Sequence, residues 1–205
     1  MMRGVCIGLI ATVALTPLAG SGARATPPAS QAGTFRVEPL AEREVARLPD
    51  GPLHWRIEIF PSLAMAQAAA GPLALAAEHA GRAWLFTLGP RDGATPGARR
   101  VAEIGPVPIL PAGRYLLRVN RAGGPRGAMT PVHSHPGSEA FYVLSGQLSQ
   151  RTGHGIARIG AGQAMNGHGA DMAMQLTSSG TADLDQLVLF VVDADRPFSS
   201  PATFD

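Results

Sequence analysis

Two histidines and a glutamate lie close together in the stretch GAMTPVHSHPGSEAFYVLSG, residues 127–146. They are His133, His135 and Glu139, in a chain with 6 histidines in all. Residues two apart in an extended strand face the same way, so His133 and His135 turn to one side. Pro136-Gly137-Ser138 permits a bend, after which Glu139 can return to that side. Two imidazoles and one carboxylate meeting in an apolar interior form a half-shell for a divalent metal. That donor set suits Fe(II), and also Mn, Ni or Zn, with positions left open for a small-molecule substrate.

Such a half-shell needs strands to hold it. The chain of 205 residues is 45% hydrophobic and 16% charged, with 25 Gly and 18 Pro. Short apolar runs broken by turn residues predict an all-β domain rather than a helical bundle. LHWRIEIF (53–60) alternates as a strand with Leu53, Trp55, Ile57 and Ile59 on one face. A short helix is expected after it in PSLAMAQAAAG, capped by Ser62 and ended by Gly71. LALAAEHAGRAWLFTL (73–88) reads as two strands around EHAGR, and residues 89–100 as a polar loop. Further strands follow at regular spacing through residue 193 with Gly-rich turns, the pattern of a sandwich or barrel. LVLFVV (187–192) reads as a strand buried on both faces. The expected organisation is a leader or arm over 26–52, N-terminal strands and the helix packing on a barrel over 53–109, the barrel over 110–193, and an irregular tail over 194–205. Within the arm, residues 35–49 suit a weak helix or an extended segment.

The fixed positions of the histidine stretch also carry a resemblance. Gly127, His133, His135, Glu139 and Gly146, with intervals of five, one, three and six residues, resemble the first signature motif of the cupin superfamily. The resemblance covers roughly residues 110–193 and implies a double-stranded β-helix, or jelly-roll barrel, with the site inside. A second cupin motif would supply a third histidine. Counting from Gly162, this chain has His168 at the motif's proline position, Ala170 at its glycine, Ala173 at its histidine and Thr177 at its asparagine.

Three accounts stay open. His168 reaches the metal from the start of that strand; or the site has His133, His135 and Glu139 alone, with water or Gln175 beside them; or the motif survives as polar packing without metal. Of the remaining histidines, His154 is placed in an exposed hairpin turn, while His54 and His79 precede the motif. Arg114, Arg118, Arg121 and Arg126 lie near it in sequence and read as a solvated rim or as a hold for an anionic substrate.

The first 25 residues read as a secretory signal: MMR, then an apolar run too short for a membrane span, then Ala23-Arg24-Ala25 as a cleavage site. Export, to a periplasm or beyond, is therefore expected. Cys6 is the single cysteine, so the exported chain has no disulfide and no thiolate ligand. The signal holds two arginines and no acid, so its loss takes 17 basic residues to 15 against 15 acidic ones. A chain that near neutrality gives no case for nucleic acid or a membrane surface as partner. The expected function is small-molecule binding at a metal centre, with oxygenase- or isomerase-like chemistry as one outcome. Non-catalytic ligand binding, or a metal-free structural barrel, is the alternative. A homodimer through sheet edges is expected.

Overall fold

The computed structural model describes Met1 and residues 33–204. The signal segment therefore lies outside the described residues, as does most of the leader. Residues 33–204 belong to one compact unit that begins at Ala32. None of the described helices is long and apolar enough to cross a membrane.

Fourteen strands and one helix make three antiparallel sheets. The first has β1 (Arg36–Val45), β6 (Tyr115–Gly124), β13 (Leu184–Asp193), β8 (Gly137–Ser145) and β11 (Ala164–Asn166), in that order. The second has β10 (Gly155–Gly160), β9 (Gln147–Thr152), β12 (Met174–Ser178), β7 (His133–Ser134) and β14 (Ser200–Pro201). These two face each other as the jelly roll. The third has β3 (Ala74–His79), β4 (Arg82–Gly89), β2 (His54–Phe60) and β5 (Arg99–Ile104). The helix α1 (Leu63–Ala69) begins where expected, with Ser62 Oγ accepting from Met65 N at 3.3 Å.

Alternation along β13 divides the core in two. Val188, Phe190 and Val192 face into the barrel with Phe141, Val143, Leu148 and Leu176. Leu187, Leu189 and Val191 face outward and meet Trp55, Trp84, Phe86 and Leu88 of the third sheet. The N-terminal strands therefore form a separate sheet laid over the barrel's outer face. This is why β13 is buried on both sides. The other face of β2 is buried too: Glu58 pairs with Arg56 at 3.0 Å and accepts from Thr95 Oγ1 at 2.6 Å, tying down the 89–98 loop.

Of the two alternatives for residues 35–49 the helix is corrected and the extended one holds: residues 36–45 are the edge strand β1, paired along β6. Its charges explain the pairing: Glu38 meets Arg121 at 3.5 Å, Glu42 meets Arg118 at 3.4 Å and Glu44 meets Arg114 at 2.6 Å. Arg114, Arg118 and Arg121 thus serve a cross-strand ion-pair ladder instead of holding an anion. The tail is not wholly irregular either, because β14 pairs with β7 through Ser200–Ser134 and Pro201–His133.

Candidate functional site

The two glycines that bracket the histidine stretch have structural reasons. Gly127 and Gly146 take φ of 83° and 74°, and a Cβ at Gly146 would stand 2.6 Å from the Asp183 carbonyl oxygen. They turn the chain into and out of β7 and β8. Between them β7 carries His133, paired in register with Met174 of β12 and Pro201 of β14. Glu139 points inward from β8, in register with Phe190 of β13, which is itself in register with Arg118 of β6.

His133, His135 and Glu139 all line one cavity of about 410 Å³ inside the barrel. Most of its wall is apolar, including Ala122, Val132, Leu176, Val188, Phe190 and Phe198. The two imidazole rings stand edge to face, with centroids 5.1 Å apart and planes at 86°. His133 Nδ1 lies 2.9 Å from the Pro131 carbonyl oxygen and His135 Nδ1 lies 2.6 Å from that of Phe198. A carbonyl oxygen only accepts, so both Nδ1 atoms carry the proton and both Nε2 atoms keep a free lone pair. The His135 ring is also wedged between Phe190 and Phe198, each 4.9 Å away by centroid. Burial holds its pKa down at about 4, against a smaller upward pull from the Phe198 carbonyl.

Glu139 is 1% exposed. Its Oε1 accepts from Gln150 Nε2 at 2.8 Å, and its Oε2 has no hydrogen-bond partner among the described residues. Burial pushes this carboxyl up to about 8, with the Gln150 bond pulling slightly the other way. Gln150 in turn touches Met174 Sδ at 3.6 Å. A Cβ at residue 167 would lie 2.6 Å from Glu139 Cγ, so Gly167 lets the following loop close directly over the acid.

A divalent metal is the group this donor set implies. Two imidazoles with free Nε2 atoms, each fixed through Nδ1 by a backbone carbonyl, have the form of metal-ligating histidines, and the unpartnered Glu139 Oε2 is a third donor of suitable chemistry. Among the described residues, however, no three His, Cys, Asp or Glu side chains are grouped closely enough for one ion. The fit is thus one of donor chemistry and not of assembled geometry, and Oε1 of the carboxyl is engaged by Gln150.

His168 does not join them. It does not line the cavity, and its ring stands 6.2 Å from that of His154, which sits exposed in the β9–β10 turn as expected. Gln175 is not an inward residue either: its Nε2 donates to the Thr130 carbonyl at 3.0 Å. The inward set on β12 is Met174, Leu176 and Ser178, one residue out of step with the motif count, so Met174 faces the site where Ala173 was expected. The 167–173 connection follows a looped path, and that path sets the phase of β12. Gln150, Asn120, Met174 and Phe198 were not anticipated as parts of the site.

Two facing antiparallel sheets carry the His-x-His pair on β7 and the loop after it, and Glu139 inward on β8. The fold is an antiparallel jelly roll. No family model and no curated protein matches this sequence. Solved structures are similar over part of it. The polyketide cyclase RemF from Streptomyces resistomycificus is 16% identical over 43% of this chain and 62% of its own, with a TM-score of 0.36. An uncharacterized conserved protein with a double-stranded β-helix domain from Klebsiella pneumoniae is 19% identical over 42% of this chain and 75% of its own, with a TM-score of 0.37. A cupin-like protein from Thermotoga maritima is 16% identical over 43% of this chain and 65% of its own, with a TM-score of 0.38.

Proposed function

We propose that this protein binds a small, largely apolar molecule in its barrel, beside a divalent metal held by His133 and His135 with Glu139 as third donor. One observation carries the reading: an apolar cavity of about 410 Å³ lined by both histidines and by Glu139, whose covered Oε2 has no partner among the described residues. A metal there would supply Lewis acidity to a ligand oxygen, or oxygen activation if it is iron. The protein's own part is to hold both imidazoles in one tautomer, to exclude water with Phe190 and Phe198, and to keep the acid dry.

A metal-free binding module is the second reading, and the deep burial of Glu139 favours it. With Glu139 pushed up to about 8, its carboxyl is neutral at pH 7 and suits a neutral ligand directly. Titration of the chelator-treated protein with Zn(II), Mn(II), Ni(II) and Fe(II) separates the two. Binding of one ion per chain, abolished in His135→Ala and unaffected in His168→Ala, supports the first. No binding of any of the four ions leaves the second. Export and a homodimer remain part of the proposal, supported by the N-terminal sequence pattern and by the open β1 edge.

A further inference from the structure

Asn120 of β6 lines the same cavity and is 1% exposed. Its carboxamide has a fixed sense, because Arg118 Nε donates to Asn120 Oδ1 at 2.8 Å. A guanidinium has no acceptor, so the amide oxygen must face Arg118 and the amide nitrogen must face away from it. That nitrogen, Nδ2, has no hydrogen-bond partner among the described residues. A buried donor without a partner is costly, so an oxygen that accepts from it is favoured over a methylene of the same size. The cavity wall includes no arginine or lysine to hold an anion. Arg118 itself is occupied, its guanidinium lying 4.3 Å above the Phe198 ring and 3.4 Å from Glu42.

We infer that Asn120 selects the ligand: its Nδ2 donates to a carbonyl oxygen of an uncharged, planar apolar molecule whose body packs on Phe190 and Phe198. The inference rests on the small-molecule reading of the cavity and adds its substrate class. The flat aromatic edges of Phe190, Phe198 and His135, with centroids 4.9 to 5.0 Å apart, favour a ring system over a flexible chain. A hydroxyl at the ligand's other end suits the imidazole Nε2 atoms, which accept, or a metal held by them. Nδ2 is itself covered, so a ligand oxygen reaches it only as the adjoining wall shifts, a cost that the new hydrogen bond offsets and that a ligand without an acceptor does not recover.

Calorimetric titration of the full chain with three related probes tests this. They are 6-acetyl-2-naphthol, which has the carbonyl; 6-ethyl-2-naphthol, which has a methylene in its place; and 6-hydroxy-2-naphthoate, its anionic counterpart. The ketone is expected to bind about tenfold tighter than the ethyl compound, as for a hydrogen bond to an otherwise unpaired buried donor. The naphthoate is expected to bind no better than the ethyl compound. Asn120→Asp keeps the size and the Arg118 contact but replaces the donor with an oxygen, and it is expected to bring the ketone-to-ethyl ratio close to one. Asn120→Leu is expected to do the same without added charge. In the parent, the Asn120 side-chain amide signals in a 15N spectrum are expected to shift with the ketone more than with the ethyl compound, a reading that needs no variant. An unchanged ratio in both variants, or equal shifts, overturns the role of Asn120 while the cavity reading stands. If none of the probes binds the parent at millimolar concentration, the cavity reading and this inference fall together.

Discussion

At His135 and Glu139 burial acts on opposite charges, and the consequence is a pH profile. The Glu139 carboxyl, moved from 4.5 to about 8, keeps a proton in the folded state that the unfolded chain has already lost. Stability from this group is therefore present at low pH and lost as pH rises toward 8. His135, moved from 6.5 to about 4, refuses a proton that the unfolded chain takes up, so its contribution grows as pH rises from 4 to 6.5. The two oppose each other below pH 6.5, and Glu139 acts alone above it. Chelator-treated protein is predicted to lose stability between pH 6.5 and 8, by at most about 1.4 kcal/mol per pH unit for one proton. Urea titrations should show that slope flattened in Glu139→Gln; an unchanged slope would place its origin elsewhere. His133, His135 and Glu139 were legible from spacing because the two-residue period of a strand is rigid. Asn120 was not, since a polar residue alternating with Val119 reads as the solvent face until a second sheet is known to cover it; Gln150 shares the face of Leu148, but its polar neighbours Ser149, Arg151 and Thr152 give no sign of burial.

The elements around the site tell a similar story. Ser62, Gly71 and the EHAGR turn announced α1, β3 and β4 through local chemistry alone, and these elements stand where expected. β1 was announced only as one of two alternatives, helix or extended, because its charges have meaning only beside the arginines of β6 some eighty residues later. The tail was illegible for the same reason: two residues of β14 gain their pairing from β7, and Phe198 gains its place from His135. Phe198 is thus a wall of the cavity delivered by the C-terminus. Phe198→Ala is predicted to weaken binding of an apolar probe such as 6-ethyl-2-naphthol by about tenfold, while stability falls by only about 1 to 2 kcal/mol because the ring is half-buried. Calorimetry beside urea unfolding checks both. A large loss of stability with unchanged affinity would make the tail a clasp and not a wall.

Across the whole molecule, the third sheet is bonded to the barrel by a shared core and by polar contacts, among them His79 Nε2 at 2.9 Å from Asp185 Oδ2. Trp84 is fully buried in that core, stacked on Phe86 at 6.2 Å and edge-on to Tyr142 of β8 at 6.3 Å. Trp84→Ala is predicted to cost about 3 to 5 kcal/mol. Because the two layers share one core, tryptophan fluorescence and far-ultraviolet circular dichroism should report one transition with one midpoint. Two separate transitions would show that the outer sheet folds on its own. Whether the barrel holds a metal is decided by elemental analysis of protein exported natively and purified without chelator or affinity nickel. The account predicts close to one divalent metal per chain, lost in His133→Ala and in His135→Ala and kept in His168→Ala. A parent that holds no metal, even after reconstitution with each candidate ion, would contradict it.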